Sequence, residues 1–96
     1  MVADLTPLIC AWLKYAALKL GHRDHLYFKV YQGKKNLLGK FYVGVFPLAK
    51  ALRQNPTEVA KKLQESWENY YWAYPEIKSV EAKGAYLVFS AEPKIN

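Results

Sequence analysis

The residues of this chain best suited to acid–base or metal chemistry stand together in Gly21-His22-Arg23-Asp24-His25, where two imidazoles flank a carboxylate. A zinc site needs three or four ligands, and general acid–base catalysis needs a partner group within hydrogen-bond reach. Neither is supplied. The chain has no other histidine, and its single cysteine, Cys10, falls inside an apolar helical pattern rather than at ligand spacing. No Ser-His-Asp or Cys-His set, no carboxylate pair and no phosphate-cradling loop can be found; Gly33, Gly39, Gly44 and Gly84 are too scattered for anything but turns and close packing. The residues thus imply no enzyme, no metal and no cofactor, with the His-Asp-His stretch read as solvated polar groups of a connector.

A second chemistry is better represented. Tyr27, Lys29 and Tyr31 alternate along one short run, Lys40 and Tyr42 along the next, and Lys34, Lys35 and Asn36 lie between the two. If the runs pair as a hairpin, these side chains share one surface with the Lys34-Lys35-Asn36 loop at its tip. Tyrosine rings stack on unpaired bases and lysines neutralise phosphates, which is what recognition of loop or single-stranded RNA requires. A plainer reading competes with this one, because tyrosine is a good strand former and lysine discourages edge aggregation.

Charge placement supports a polyanionic partner. The net charge is +6, and between Lys29 and Lys62 eight basic residues face one acid, Glu58. From Leu63 onward three basic residues stand against five acids, so the middle is positive and the end mildly negative. Such a patch points to phosphate, to an acidic protein, or simply to a solvated basic face.

The elements that must position these residues follow from periodicity. In a chain of 96 residues there is room for one domain, expected over residues 1–90 with a loose tail at 91–96. Leu5, Leu8, Ile9, Trp12, Leu13, Ala16, Ala17 and Leu20 fall on one stripe of a helix, with Thr6 as its cap, Pro7 at its first position and Gly21 as its stop. Lys14 and Lys19 interrupt this apolar stretch, which has no basic start or cleavage site, so it reads as neither a signal peptide nor a membrane span. A reducing, cytoplasmic setting fits the lone cysteine.

His25 to Tyr31 and Lys40 to Val45 alternate as strands, the second with Phe41, Val43 and Val45 on one side. Pro47 to Arg53 reads as a short helix. Asn55-Pro56-Thr57-Glu58 then has the residues of a capping box, opening a helix whose stripe is Val59, Ala60, Leu63, Trp67 and Tyr70 or Tyr71, ended by Pro75. Ile77 to Ala82 and Ala85 to Ser90 form a second hairpin about Lys83-Gly84, with Leu87 and Phe89 competing against Tyr86 and Val88 for the inward face. Trp72 falls off the helical stripe and is the leading candidate for a protein contact. This order gives an α+β fold: a two-layer α-β(2)-α-β(2) sandwich with helices on one face of a mostly antiparallel four-stranded sheet.

Three segments also carry a resemblance: Val45-Phe-Pro-Leu-Ala-Lys-Ala-Leu-Arg-Gln54, Asn55-Pro-Thr-Glu-Val-Ala-Lys-Lys-Leu63 and Val80-Glu-Ala-Lys-Gly-Ala-Tyr-Leu-Val-Phe89. Together they resemble the N-terminal additional domain of arginyl-tRNA synthetases, over the stretch from Leu26 to Phe89. That resemblance implies the same order of elements, a non-catalytic role, and contact with the D-loop at the tRNA elbow. The family segment F-G-D-Y/F-Q-x-N corresponds to Leu38-Gly39-Lys40-Phe41-Tyr42-Val43-Gly44. Gly39 and the aromatic Phe41 agree, whereas the family Asp, Gln and Asn are Lys40, Tyr42 and Gly44. The closing G-P-G-F/Y-I-N is reduced to Gly84-Ala-Tyr-Leu-Val.

The resulting expectation is a monomeric, non-catalytic accessory module that contacts tRNA or another structured RNA through Lys29, Tyr31, Lys34, Lys35, Asn36, Lys40, Phe41 and Tyr42. With the polar readers of the family replaced, phosphate contacts should govern binding. The alternative is a protein-interaction or regulatory module that kept the fold and uses the same surface and Trp72 for a protein partner. A third reading makes the chain part of a larger protein.

Overall fold

The computed structural model describes residues 5–22, 26–33 and 39–91. Helix α1 (Thr6–Lys19) is followed by strands β1 (Val30–Gln32) and β2 (Lys40–Gly44), helices α2 (Phe46–Leu52) and α3 (Pro56–Trp67), a short 3-10 turn at Tyr71–Ala73, and strands β3 (Ile77–Lys83) and β4 (Tyr86–Ala91). The strands form one sheet in the order β1-β2-β4-β3, with every neighbouring pair antiparallel. The helices cover one face, which is the α+β arrangement the periodicity predicts.

The strand register decides which side chains point inward. Phe41 pairs with Phe89 and Val43 with Leu87 across β2 and β4, and Val80 stands opposite Phe89 across β3 and β4. Phe41, Val43, Leu87 and Phe89 are completely buried, so the competition in the second hairpin resolves in favour of Leu87 and Phe89. Trp12 of α1 ties the layers together. Its ring meets the edge of Trp67 from α3 at 5.3 Å and of Phe89 from the sheet at 5.8 Å. Edge-to-face contacts of this kind add about 0.5–1.5 kcal/mol each beyond the area they bury.

Local chemistry sets the ends of the helices. The Asn55 side chain accepts from the Thr57 N–H at 2.8 Å, and Pro56 occupies the first turn, where no N–H is needed. The C-terminus of α1 closes with Gly21 N–H to Leu18 O and His22 N–H to Ala17 O, with Gly21 at φ 97°. That pair of bonds is a Schellman cap, which calls for a left-handed residue such as glycine.

Several boundaries differ from the sequence reading. The first strand begins at Val30 instead of His25: β2 ends at Gly44 and α2 begins at Phe46, leaving residues 26–28 no strand neighbour to pair with. Helix α3 stops at Trp67 rather than running to Pro75. There Glu68, Asn69 and Tyr70 donate to the carbonyls three residues back, and the Trp72 indole N–H takes the Asn69 carbonyl at 3.1 Å. Asparagine and aromatic residues are poor helix formers, so the final turn tightens instead of continuing. Helix α1 takes Leu5, not Thr6, as its cap residue. Ala91, expected in the tail, is instead paired with Ile77 in the sheet. None of the described helices is long and apolar enough to cross a membrane.

Candidate nucleic-acid interface

The sheet face turned away from the described helices carries the candidate residues, flanking Val88 and Ser90, which are themselves buried. In the β1–β2 register Tyr31 lies directly opposite Tyr42, so both rings leave the sheet on the same side, and Lys40, two residues before Tyr42, joins them. Tyr31 is 49% exposed, Lys40 is exposed and Tyr42 is half-buried. The Lys29 ammonium sits 5.1 Å from the centre of the Tyr31 ring, a cation–π approach that joins a charge to a stacking surface. Lys40 Nζ donates to Ser90 Oγ at 2.7 Å, which fixes the lysine on the face and satisfies a buried hydroxyl. An ammonium has three N–H donors, so this bond leaves others for a phosphate.

Other expected site residues stand differently. Phe41 is a correction: it is fully buried between the sheet and the helices, because its side chain alternates to the side opposite Lys40 and Tyr42. It supports the face from beneath and offers no surface to a base. Lys34, Lys35 and Asn36 lie outside the described residues. Tyr27 is exposed, yet no strand pairing fixes its direction. Trp72 stands on the 3-10 turn at 72% exposure beside the exposed Tyr71, remote in sequence from the Tyr31–Tyr42 pair.

One feature of the face went unread in the sequence. Gly44, across from Tyr86 in β4, has the Phe46 and Tyr86 rings packed over it; a Cβ added there would come within 2.9 Å of Phe46 Cδ2 and 3.3 Å of Tyr86 Cε1. The two rings meet edge to face at 5.6 Å, and both remain substantially exposed. The signal was present as an alternating Tyr42-x-Gly44-x-Phe46, but periodicity assigns Phe46 to the next helix and does not show which way its ring turns. Across β4, Lys83 is opposite Tyr86 and Glu81 opposite Val88, so the face carries one acid among its lysines.

Only His22 of the His-Asp-His stretch falls within the described residues. His22 Nε2 is buried with no hydrogen-bond partner among them, and they contain no group of histidine, cysteine and carboxylate side chains able to hold a metal. Asp24 and His25 lie outside the described residues. Burial pushes the Cys10 thiol above its ordinary value, which disfavours the nucleophilic thiolate.

Among solved structures, an arginyl-tRNA synthetase of Thermus thermophilus matches with a TM-score of 0.71 at 24% identity, over 93% of this chain and 14% of that one. The likeness is one of fold, and the chain spans only that small share of the synthetase's length. Among curated proteins, none matches the chain. The family model described as the arginyl tRNA synthetase N terminal domain matches residues 11–91, and the chain therefore belongs to that family.

Proposed function

We propose that this domain is a non-catalytic RNA-binding accessory module that contacts the tRNA elbow, at the D-loop, through the sheet face bearing Lys29, Tyr31, Lys40 and Tyr42. The observation that carries the reading is the Tyr31–Tyr42 pair. Two tyrosines directly opposed on the sheet face away from the described helices, with Lys29 against one ring and Lys40 beside the other, combine stackable surface and positive charge at one place. Family membership supports the same reading, since the resemblance implies a D-loop contact through the segment that here includes Lys40 and Tyr42. Lys34, Lys35 and Asn36 would extend the positive charge from the adjoining segment. Because Lys40 and Tyr42 replace a carboxylate and an amide, phosphate neutralisation and stacking should outweigh base reading.

The test is a titration of the pure domain with bulk tRNA at low salt, repeated with Tyr42→Ala and Tyr31→Ala. Each substitution should weaken binding by about 1–3 kcal/mol if its ring stacks on a base. Unaltered affinity in both variants would remove this face from the contact.

A specific observation also favours a second reading. Trp72 and Tyr71 project from a turn held in place by the Trp72 indole hydrogen bond to Asn69, and exposed aromatic anchors of this kind are common at protein interfaces. A protein partner would dock there, and Trp72→Ala would weaken its binding without affecting tRNA.

A further inference from the structure

We infer that the nucleic-acid face extends beyond Tyr42 to the Phe46–Tyr86 ring pair, and that its ligand is an unpaired run of RNA whose successive bases stack along Tyr31, Tyr42 and Tyr86 with Phe46. This rests on the RNA-binding reading above and specifies the form of RNA.

The strand register carries it. Tyr31 faces Tyr42, Tyr42 faces Val88, and Tyr86 faces Gly44, so Tyr42 and Tyr86 are diagonal neighbours on one surface. Diagonal cross-strand positions lie about 7–8 Å apart, close enough for large rings to form a continuous strip. That spacing suits consecutive nucleotides of a single strand, whereas a duplex hides its base faces in its own stack.

The far end of the strip is held ready. Phe46 is 48% exposed and Tyr86 42% exposed, so both rings keep surface that a base could reach. Gly44 lets both rings lie against the backbone, and their edge-to-face contact at 5.6 Å limits their freedom before any ligand arrives. Lys83, paired across the turn with Tyr86, supplies positive charge at this end as Lys29 and Lys40 do at the other. Glu81, also on this face, would repel a phosphate path along β3. The path of least repulsion therefore follows β2 and the β2-facing edge of β4.

The experiment compares a hairpin RNA bearing a long unpaired loop with a fully duplexed RNA of equal length, against wild type, Phe46→Leu, Tyr86→Leu and Tyr86→Phe. Leucine keeps apolar cover over Gly44 while removing the flat π-face, and thermal melting checks that each variant is folded. The expected result is a wild-type preference for the loop RNA. The leucine variants should lose about 5- to 150-fold in loop affinity, with the slope of log affinity against log salt unchanged, and Tyr86→Phe should bind as wild type. Equal affinity of the leucine variants and wild type overturns the extension while leaving the Tyr31–Tyr42 reading intact. A changed salt slope with no other loss also overturns it, since the rings would then only place lysines. Absence of RNA binding by wild type overturns both readings together.

Discussion

Lys40 shows how one side chain serves two ends at this site. It bonds Ser90, whose hydroxyl is otherwise shut away from solvent, and it projects on the face where phosphate is expected. Replacing it by alanine should therefore register twice. Stability should fall by about 0.5–1.5 kcal/mol as the Ser90 hydroxyl loses its partner, read as a lowered denaturation midpoint. The salt slope for RNA should flatten by about one unit, the signature of one lost phosphate contact. A Lys40→Ala variant with wild-type salt dependence would show that this lysine does not meet the RNA. Trp72 behaves oppositely. Exposed and, among the described residues, bonded only to a carbonyl of its own turn, it should be replaceable by alanine within about 0.5 kcal/mol of wild-type stability, so that any loss of function on substitution would report a partner and not the fold.

At the scale of the elements, the joints on either side of α2 set the shape of the site. Arg53 ends that helix in the left-handed region at φ 55°, with its own N–H and that of Gln54 closing on Lys50 and Ala49. A side chain pays a steric penalty there that glycine avoids, so Arg53→Gly should raise stability by about 0.5–1 kcal/mol, visible as a melting point a few degrees higher. Before the helix, Gly44→Ala should push the Phe46 ring off Tyr86 and lose about 0.5–1.5 kcal/mol, with disturbed aromatic signals for both rings.

These joints also mark how far the sequence could be read. The capping residues Asn55-Pro56, the Gly21 stop and the α3 stripe were legible because they act through neighbours along the chain. The Tyr31–Tyr42 alignment was legible because alternation with a hairpin dictates it. What stayed hidden depended on partners distant in sequence. The inward face of β4 was settled only by Trp12 and the β2 register. In β3, the odd spacing of Ile77 and Val80 is absorbed by an irregularity between Ile77 and Ser79 that simple alternation does not anticipate. Burial of Phe41 followed from the same alternation that exposes Tyr42, and the family segment alone had grouped it with the contacts. The Phe46–Tyr86 pair needed the β2–β4 register before it could be seen at all.

For the whole molecule, a core shared by α1, α3 and the inner sheet face holds a basic, aromatic outer face. Leu63, fully buried on α3 within that core, should cost about 2–5 kcal/mol when cut to alanine, enough to threaten folding of so small a domain. Wild-type melting of Leu63→Ala would mean that the helix face is misplaced. The pure chain should also show no arginine-dependent pyrophosphate exchange, because the family match over residues 11–91 is to an N-terminal domain.

The central claim is that the open sheet face binds RNA chiefly through phosphate neutralisation and stacking. Titration of the domain with bulk tRNA across a range of salt concentrations tests it most directly. If four or five lysines from the set Lys29, Lys34, Lys35, Lys40 and Lys83 engage phosphates, the log–log slope of affinity against salt should be about −3 to −4, flattening by about one to two units when Lys34 and Lys35 become alanine. Failure of tRNA to bind even at low salt, or binding indifferent to salt, would contradict the claim.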